Sequence, residues 1–239
     1  MIIRRKEIPF ENPMRRTQSI LGWIYLPVHV FVLPWLLCLY QSYSPDALTD
    51  GTANLIYYGV GVVFCLTVMY SVLRGGFDVL ADAPVRCLGV MLLGFMIDYA
   101  LSGAAALVML LLPAAAESPN TEQILTAAQS DPGAVKAVTI FLVPIVEEML
   151  FRGVVFGSLR SRSRPWAFIV SAALFSAYHV WGYAAADPAA WIYLVQYLPI
   201  SIVLAWIYER SGTIWTAIFF HMGINAMSFY VLNALEQLG

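Results

Sequence analysis

Glu147 and Glu148 stand side by side in Leu142-Val-Pro-Ile-Val-Glu-Glu-Met-Leu-Phe-Arg152. Neighbours on a helix point about 100° apart, so these two carboxylates face different directions. Glu148 and Arg152 are at i,i+4 with the acid N-terminal, the better orientation for an ion pair. That leaves Glu147 turned to another side and free for other work. His179 closes Phe175-Ser-Ala-Tyr-His on a later apolar segment, and His221 and Asn225 share a helical face on a third. A carboxylate beside an imidazole can deprotonate water. A second histidine with an amide can donate hydrogen bonds to a developing oxyanion. Together these groups suit hydrolysis of an amide by activated water. The same Glu and His residues could instead hold zinc with an open fourth position, and spacing does not separate the two versions. The alternative without chemistry is a Glu-Glu-Arg cluster snorkelling at a helix end. Val154, Val155 and Phe156 argue against it, because they continue the apolar run past Arg152.

These residues need unusual positioning, because the chain around them is built for lipid. Of 239 residues, 60% are hydrophobic and 12% charged, where globular chains carry roughly 25% charged residues. Mean hydropathy is +0.74. Seven apolar segments are expected, at about Ile20–Tyr40, Asn54–Leu73, Val85–Leu112, Gly133–Phe156, Trp166–Trp181, Ala189–Tyr208 and Thr213–Leu235. Asp131-Pro132 and Asp187-Pro188 each supply an N-cap acceptor followed by a proline suited to the first helical position. Val85–Leu112 would be ~42 Å long, so it must tilt or break near Gly94 or Ser102-Gly103. A break would hide an eighth segment. Counted along their helices, Glu147 and His179 each lie ~20 Å from the same side, with His221 and Asn225 at ~12 and ~18 Å. Three helices thus bring a carboxylate, two imidazoles and an amide to neighbouring depths. An ionisable group at mid-span costs ~2.5–3.5 kcal/mol on insertion scales, so such groups call for a reason.

The remaining charges read as topology. Arg4, Arg5, Lys6, Arg15 and Arg16 precede the first segment. Arg74, Arg86, Arg160, Arg162, Arg164 and Arg210 fall in the second, fourth and sixth connections, while the others are acidic. Seven passes then place the N-terminus in the cytoplasm and the C-terminus outside. Trp23, Trp166, Trp206 and Trp215 fall near the inner ends, and Trp35, Trp181 and Trp191 near the outer ones. The expected organisation is a cytoplasmic arm over 1–19, spanning helices over 20–132, and a motif-bearing core over 133–239. The arm is expected to be mobile or interfacial, and the first apolar run reads as a retained anchor. A net charge of −2 with 13 basic residues excludes a nucleic-acid surface. Cys38, Cys65 and Cys87 are isolated and form neither a disulfide framework nor a metal motif. Asp98 sits mid-segment, with structural hydrogen bonding its expected role. His29 lies between Pro27 and Pro34, where carbonyls freed by proline could satisfy it.

Glu147-Glu148-x-x-x-Arg152, Phe175-x-x-x-His179 and His221-x-x-x-Asn225 resemble the three motifs of the CAAX protease and bacteriocin-processing (CPBP, or Abi) family, which includes the type II CAAX prenyl endopeptidases. The resemblance runs from about Thr139 to Ser228. It implies an all-α polytopic transmembrane bundle, an integral protein of a bacterial cell membrane, and intramembrane endopeptidase activity. It also implies a membrane-associated peptide or protein as substrate. The residues matching Glu147 and His179 would activate water, and those matching His221 and Asn225 would stabilise the oxyanion. Glu148 and Arg152, with Phe175, would support the site. The resemblance favours a glutamate mechanism with no cofactor, beside the zinc version. Prenyl proteases of the family usually have eight spans, against the seven counted here. A scaffold or immunity protein on the same fold would keep these residues and bind without cutting. An ion-coupled transporter would instead favour an inverted repeat, and the sequence has none.

Overall fold

A computed structural model describes residues 10–44, 47–112 and 118–236, and throughout them the regular structure is helical. Twelve α-helices are ordered α1 (Arg16–Pro27), α2 (Leu33–Tyr43), α3 (Asp50–Thr67), α4 (Tyr70–Asp82), α5 (Pro84–Met109), α6 (Pro119–Ser130), α7 (Pro132–Ala137), α8 (Val143–Glu147), α9 (Gly157–Arg160), α10 (Arg164–Ala186), α11 (Leu194–Ser211) and α12 (Ile214–Glu236). Three π-helical stretches, Val28–Val32, Val138–Leu142 and Glu148–Phe156, join neighbouring α-helices into longer rods. The first two each precede a proline, Pro34 and Pro144, whose missing N–H and bulky ring disturb the preceding turn.

Five helical rods are long and apolar enough to cross a membrane: Arg16–Tyr43, Pro84–Met109, Arg164–Ala186, Pro188–Ser211 and Ile214–Val231. The paired α3 and α4 make a sixth if counted as one bent span. The fourth expected segment, Gly133–Phe156, lies within the run from Pro132 to Arg160. It carries Lys136, Glu147, Glu148 and Arg152, more charge than a lipid-facing span holds, and it buries the last three inside the bundle. The protein is therefore an all-α polytopic bundle.

The sequence-based expectations differ from the structure at four places. The second segment is not straight: α3 and α4 meet at 77°. The Gln18 side-chain amide donates to Val68 O at 2.8 Å, satisfying a carbonyl at that break. Helix α5 does not break. Gly94 instead lets it approach Ile207 and Phe220, and its 26 residues give it enough length to tilt. The polar helix α6 occupies the third connection, for which the sequence suggested no element. Residues 10–15 of the expected mobile arm are packed, with Phe10 edge-on to Phe156 and Tyr208 and Met14 against Gly153.

Contacts between connections fix which ones share an end of the bundle. Arg86 Nη2 donates to Arg210 O at 2.6 Å, and Arg160 and Arg164 both pair with Glu209. At the other end Ser118 Oγ lies 2.7 Å from Tyr197 OH, and Gly51 packs on the Asp131 side chain. The basic connections therefore gather on one side. The expected caps also form: Asp131 accepts from Ala134 N at 3.1 Å and Asp187 from Ala189 N at 2.9 Å.

Candidate active site

Glu147 ends α8 and Glu148 opens the π-helical stretch that follows, with side chains 2% and 0% exposed. Arg152, one turn on, has no exposed surface. Its Nη1 donates to Glu148 Oε1 at 3.1 Å, and its Nη2 reaches Ser201 O and Oγ at 3.1 and 3.2 Å. The guanidinium also lies 4.1 Å from the Phe175 ring centroid. A buried pair survives only with such further partners, because desolvation alone would exceed the Coulomb gain. Phe175 is thus a platform for the guanidinium. It also presents its carbonyl to His179 Nδ1 at 2.9 Å.

Those contacts fix the tautomers. A carbonyl oxygen only accepts, so His179 Nδ1 carries the proton and Nε2 offers a lone pair. His221 Nδ1 lies 2.9 Å from Glu148 Oε1 and donates to it, since Glu148 is paired with Arg152. Both Nε2 atoms then face one carboxylate oxygen. Glu147 Oε2 is 3.8 Å from His179 Nε2 and 4.0 Å from His221 Nε2. That oxygen is buried and has no hydrogen-bond partner among the described residues. The adjacent glutamates thus approach His221 from its two different nitrogens, as their angular separation on the helix requires.

Glu147 and His179 line a cavity of about 540 Å³ together with Tyr57, Tyr58 and Tyr178. Asn225 sits on a neighbouring cavity of about 510 Å³, and its amide donates to Thr139 O at 2.8 Å. Thr139 and Ile124 line both cavities, so the two share a wall. Among the described residues no group of three or more His, Cys, Asp or Glu side chains is arranged to hold a metal ion.

The tyrosines were absent from the sequence reading. Tyr58 OH donates to Glu147 Oε1 at 3.3 Å and lies 3.0 Å from Tyr178 OH. Tyr178 OH is 3.1 Å from Tyr57 OH, which donates to His29 O at 3.0 Å. Four contacts thus share three phenolic protons, and a proton on the Glu147 carboxyl would complete the set. The available signal was the Tyr57-Tyr58 pair, since buried phenols seek partners. His29 is not satisfied by freed carbonyls. Its ring stacks on Tyr57 at 4.3 Å, and Nε2 has no partner among the described residues.

Residues 131–227 match the family described as Type II CAAX prenyl endopeptidase Rce1-like. The likeness to that family is confined to this stretch. It holds every residue of the three motifs and begins at Asp131, the cap of α7. The chain is 31% identical over 123 residues to YdiL, a candidate membrane peptidase of Bacillus subtilis (strain 168), covering 51% of this chain and 46% of that protein. It is 29% identical over 101 residues to the UPF0177 protein YxdF of Lactococcus lactis subsp. lactis (strain IL1403), covering 42% and 51%. The chain spans about half the length of the curated relatives it matches. No solved structure matches it.

Proposed function

We propose that the Rce1-like segment is an intramembrane endopeptidase that cleaves a membrane-associated peptide or protein with water activated by Glu147 and His179. The observation that carries this reading is the buried, unpartnered Glu147 Oε2 between two imidazole Nε2 atoms. Glu147 Oε2 and His179 Nε2 are two acceptors around one point, which suits a water molecule with two protons to give. In the proposed step Glu147 takes a proton from that water as its oxygen adds to the scissile carbonyl carbon. His179 Nε2 orients the water. The oxyanion receives hydrogen bonds from His221 and from the second N–H of Asn225. In this step His221 enters as an imidazolium with a proton already on each nitrogen, and Glu148 faces its Nδ1. The proton then passes from Glu147 to the leaving nitrogen as the C–N bond breaks, giving a carboxylic acid and an amine. Between these transfers the tyrosine chain supports a protonated Glu147, because that proton completes its hydrogen bonds.

The test is full-length protein in liposomes, given quenched peptides anchored by an apolar segment. Glu147→Gln is expected to cut at least ~100-fold more slowly, the scale of a lost general base, and His179→Ala likewise. Cleavage by both variants at the parental rate would overturn the mechanism. Full cellular function in Glu147→Gln would assign the fold to binding alone. Loss of parental activity in a strong zinc chelator would restore the metal version.

A further inference from the structure

Asp98 was expected to make a structural hydrogen bond, and its Oδ1 makes none among the described residues. It sits mid-way along α5 and is 9% exposed. An ionised carboxylate only accepts, and leaving one buried without a donor is costly. A donor held in the cavity would supply what the described residues do not. Asp98 lines the cavity of about 510 Å³ that holds Asn225, together with Thr121, Thr139 and Ser228. Among the described residues no basic side chain lines that cavity. On its outer side lie Tyr99, Met227 and Val231, which are 78%, 49% and 52% exposed on a surface facing lipid. On its inner side Thr139 and Ile124 are shared with the cavity of Glu147 and His179.

We infer that this second cavity is a specificity subsite, in which Asp98 receives the lysine or arginine side chain of a residue near the scissile bond. The inference rests on the protease reading above. The cavity's geometry favours this class of ligand for three reasons. Its opening between α5 and α12 admits a chain arriving in the membrane plane. Its largely apolar wall suits the methylene stem of Lys or Arg, while the acid takes the charged head. Its position beyond the Thr139 wall puts a bound side chain next to the reacting groups rather than on them. Asn225, held on Thr139 O, stands at that wall and couples the subsite to the oxyanion donors.

The experiment uses the reconstituted full-length protein and an anchored, quenched peptide set. Each position within four residues of the bond is varied in turn among Lys, Arg, norleucine and Glu. At one position Lys or Arg is expected to raise kcat/KM at least ~10-fold over norleucine, the low end for a charged hydrogen bond. Asp98→Asn should reduce that ratio below ~3-fold, and Asp98→Glu should recover part of it. A second readout does not need cleavage. Binding of fluorescent Lys and norleucine peptides to Glu147→Gln, with and without Asp98→Asn, should show the same contrast. No basic preference in the parent, or a preference unchanged in Asp98→Asn, overturns the subsite. If no peptide is cut in a Glu147-dependent way, the protease reading fails, and the binding contrast alone decides the role of Asp98.

Discussion

Replacing Arg152 by methionine tests whether the buried charge cluster is held together as the contacts imply. Methionine keeps the length and apolar stem of the side chain but loses the guanidinium. The loss removes the 3.1 Å bond to Glu148, two bonds to Ser201, and the stacking on Phe175. It leaves Glu148, with 0% side-chain exposure, only His221 Nδ1 as a donor among the described residues. Breaking such a pair from one side costs about 3–5 kcal/mol, because the remaining charge is buried without compensation. At roughly 2–4 °C per kcal/mol for a chain of this size, the melting midpoint should fall by about 6–20 °C. Glu148→Gln removes the other charge. The double variant should be less destabilised than the sum of the singles, by about 1–3 kcal/mol of coupling. Thermal unfolding of the four proteins in one detergent, followed by tryptophan fluorescence, gives the cycle. Additive losses, or an unchanged midpoint in Arg152→Met, would refute the argument that this pair is one buried unit.

Tyr58→Phe removes the phenol bound to Glu147 and Tyr178 without changing volume. It should slow cleavage by about 10-fold with the melting midpoint within a few degrees, on the ~1 kcal/mol scale of one hydrogen bond; full activity would exclude a role for the tyrosine chain. Gly61 packs against Val146, the residue before Glu147, so Gly61→Leu should overpack that contact and cost about 1–3 kcal/mol in thermal unfolding. In a Cys38→Ser background, Ala186→Cys should react with a membrane-impermeant maleimide in intact cells, and Arg162→Cys only after permeabilisation; the reverse pattern would invert the proposed orientation.

Legibility in the sequence followed the range of the forces involved. The pairing of Glu148 with Arg152 was legible because i,i+4 geometry is a property of one helix. The caps at Asp131 and Asp187 were legible for the same reason. The bend at 77° between α3 and α4 was not, because its free carbonyl at Val68 is satisfied by Gln18, fifty residues away. Glycine at 94 read as a break point, whereas the packed helix uses it for close approach to Ile207. Tyr57, Tyr58 and Tyr178 drew no notice in the sequence, since nothing local shows that their hydroxyls converge.

By itself, the sequence determined that this is a polytopic helical bundle, because too few charges and long apolar runs leave no other solvated state. It also singled out Glu147, His179, His221 and Asn225, since lipid excludes such groups unless a fold shelters them. Only the tertiary structure decided how they meet. Carbonyl and carboxylate partners on two helices fix the imidazole tautomers, so that both Nε2 atoms face the same oxygen of Glu147. The fold also separates Asn225 and Asp98 into a second cavity behind Thr139. Those distances depend on how helices pack across the bundle, and side-chain period along one helix carries no record of that.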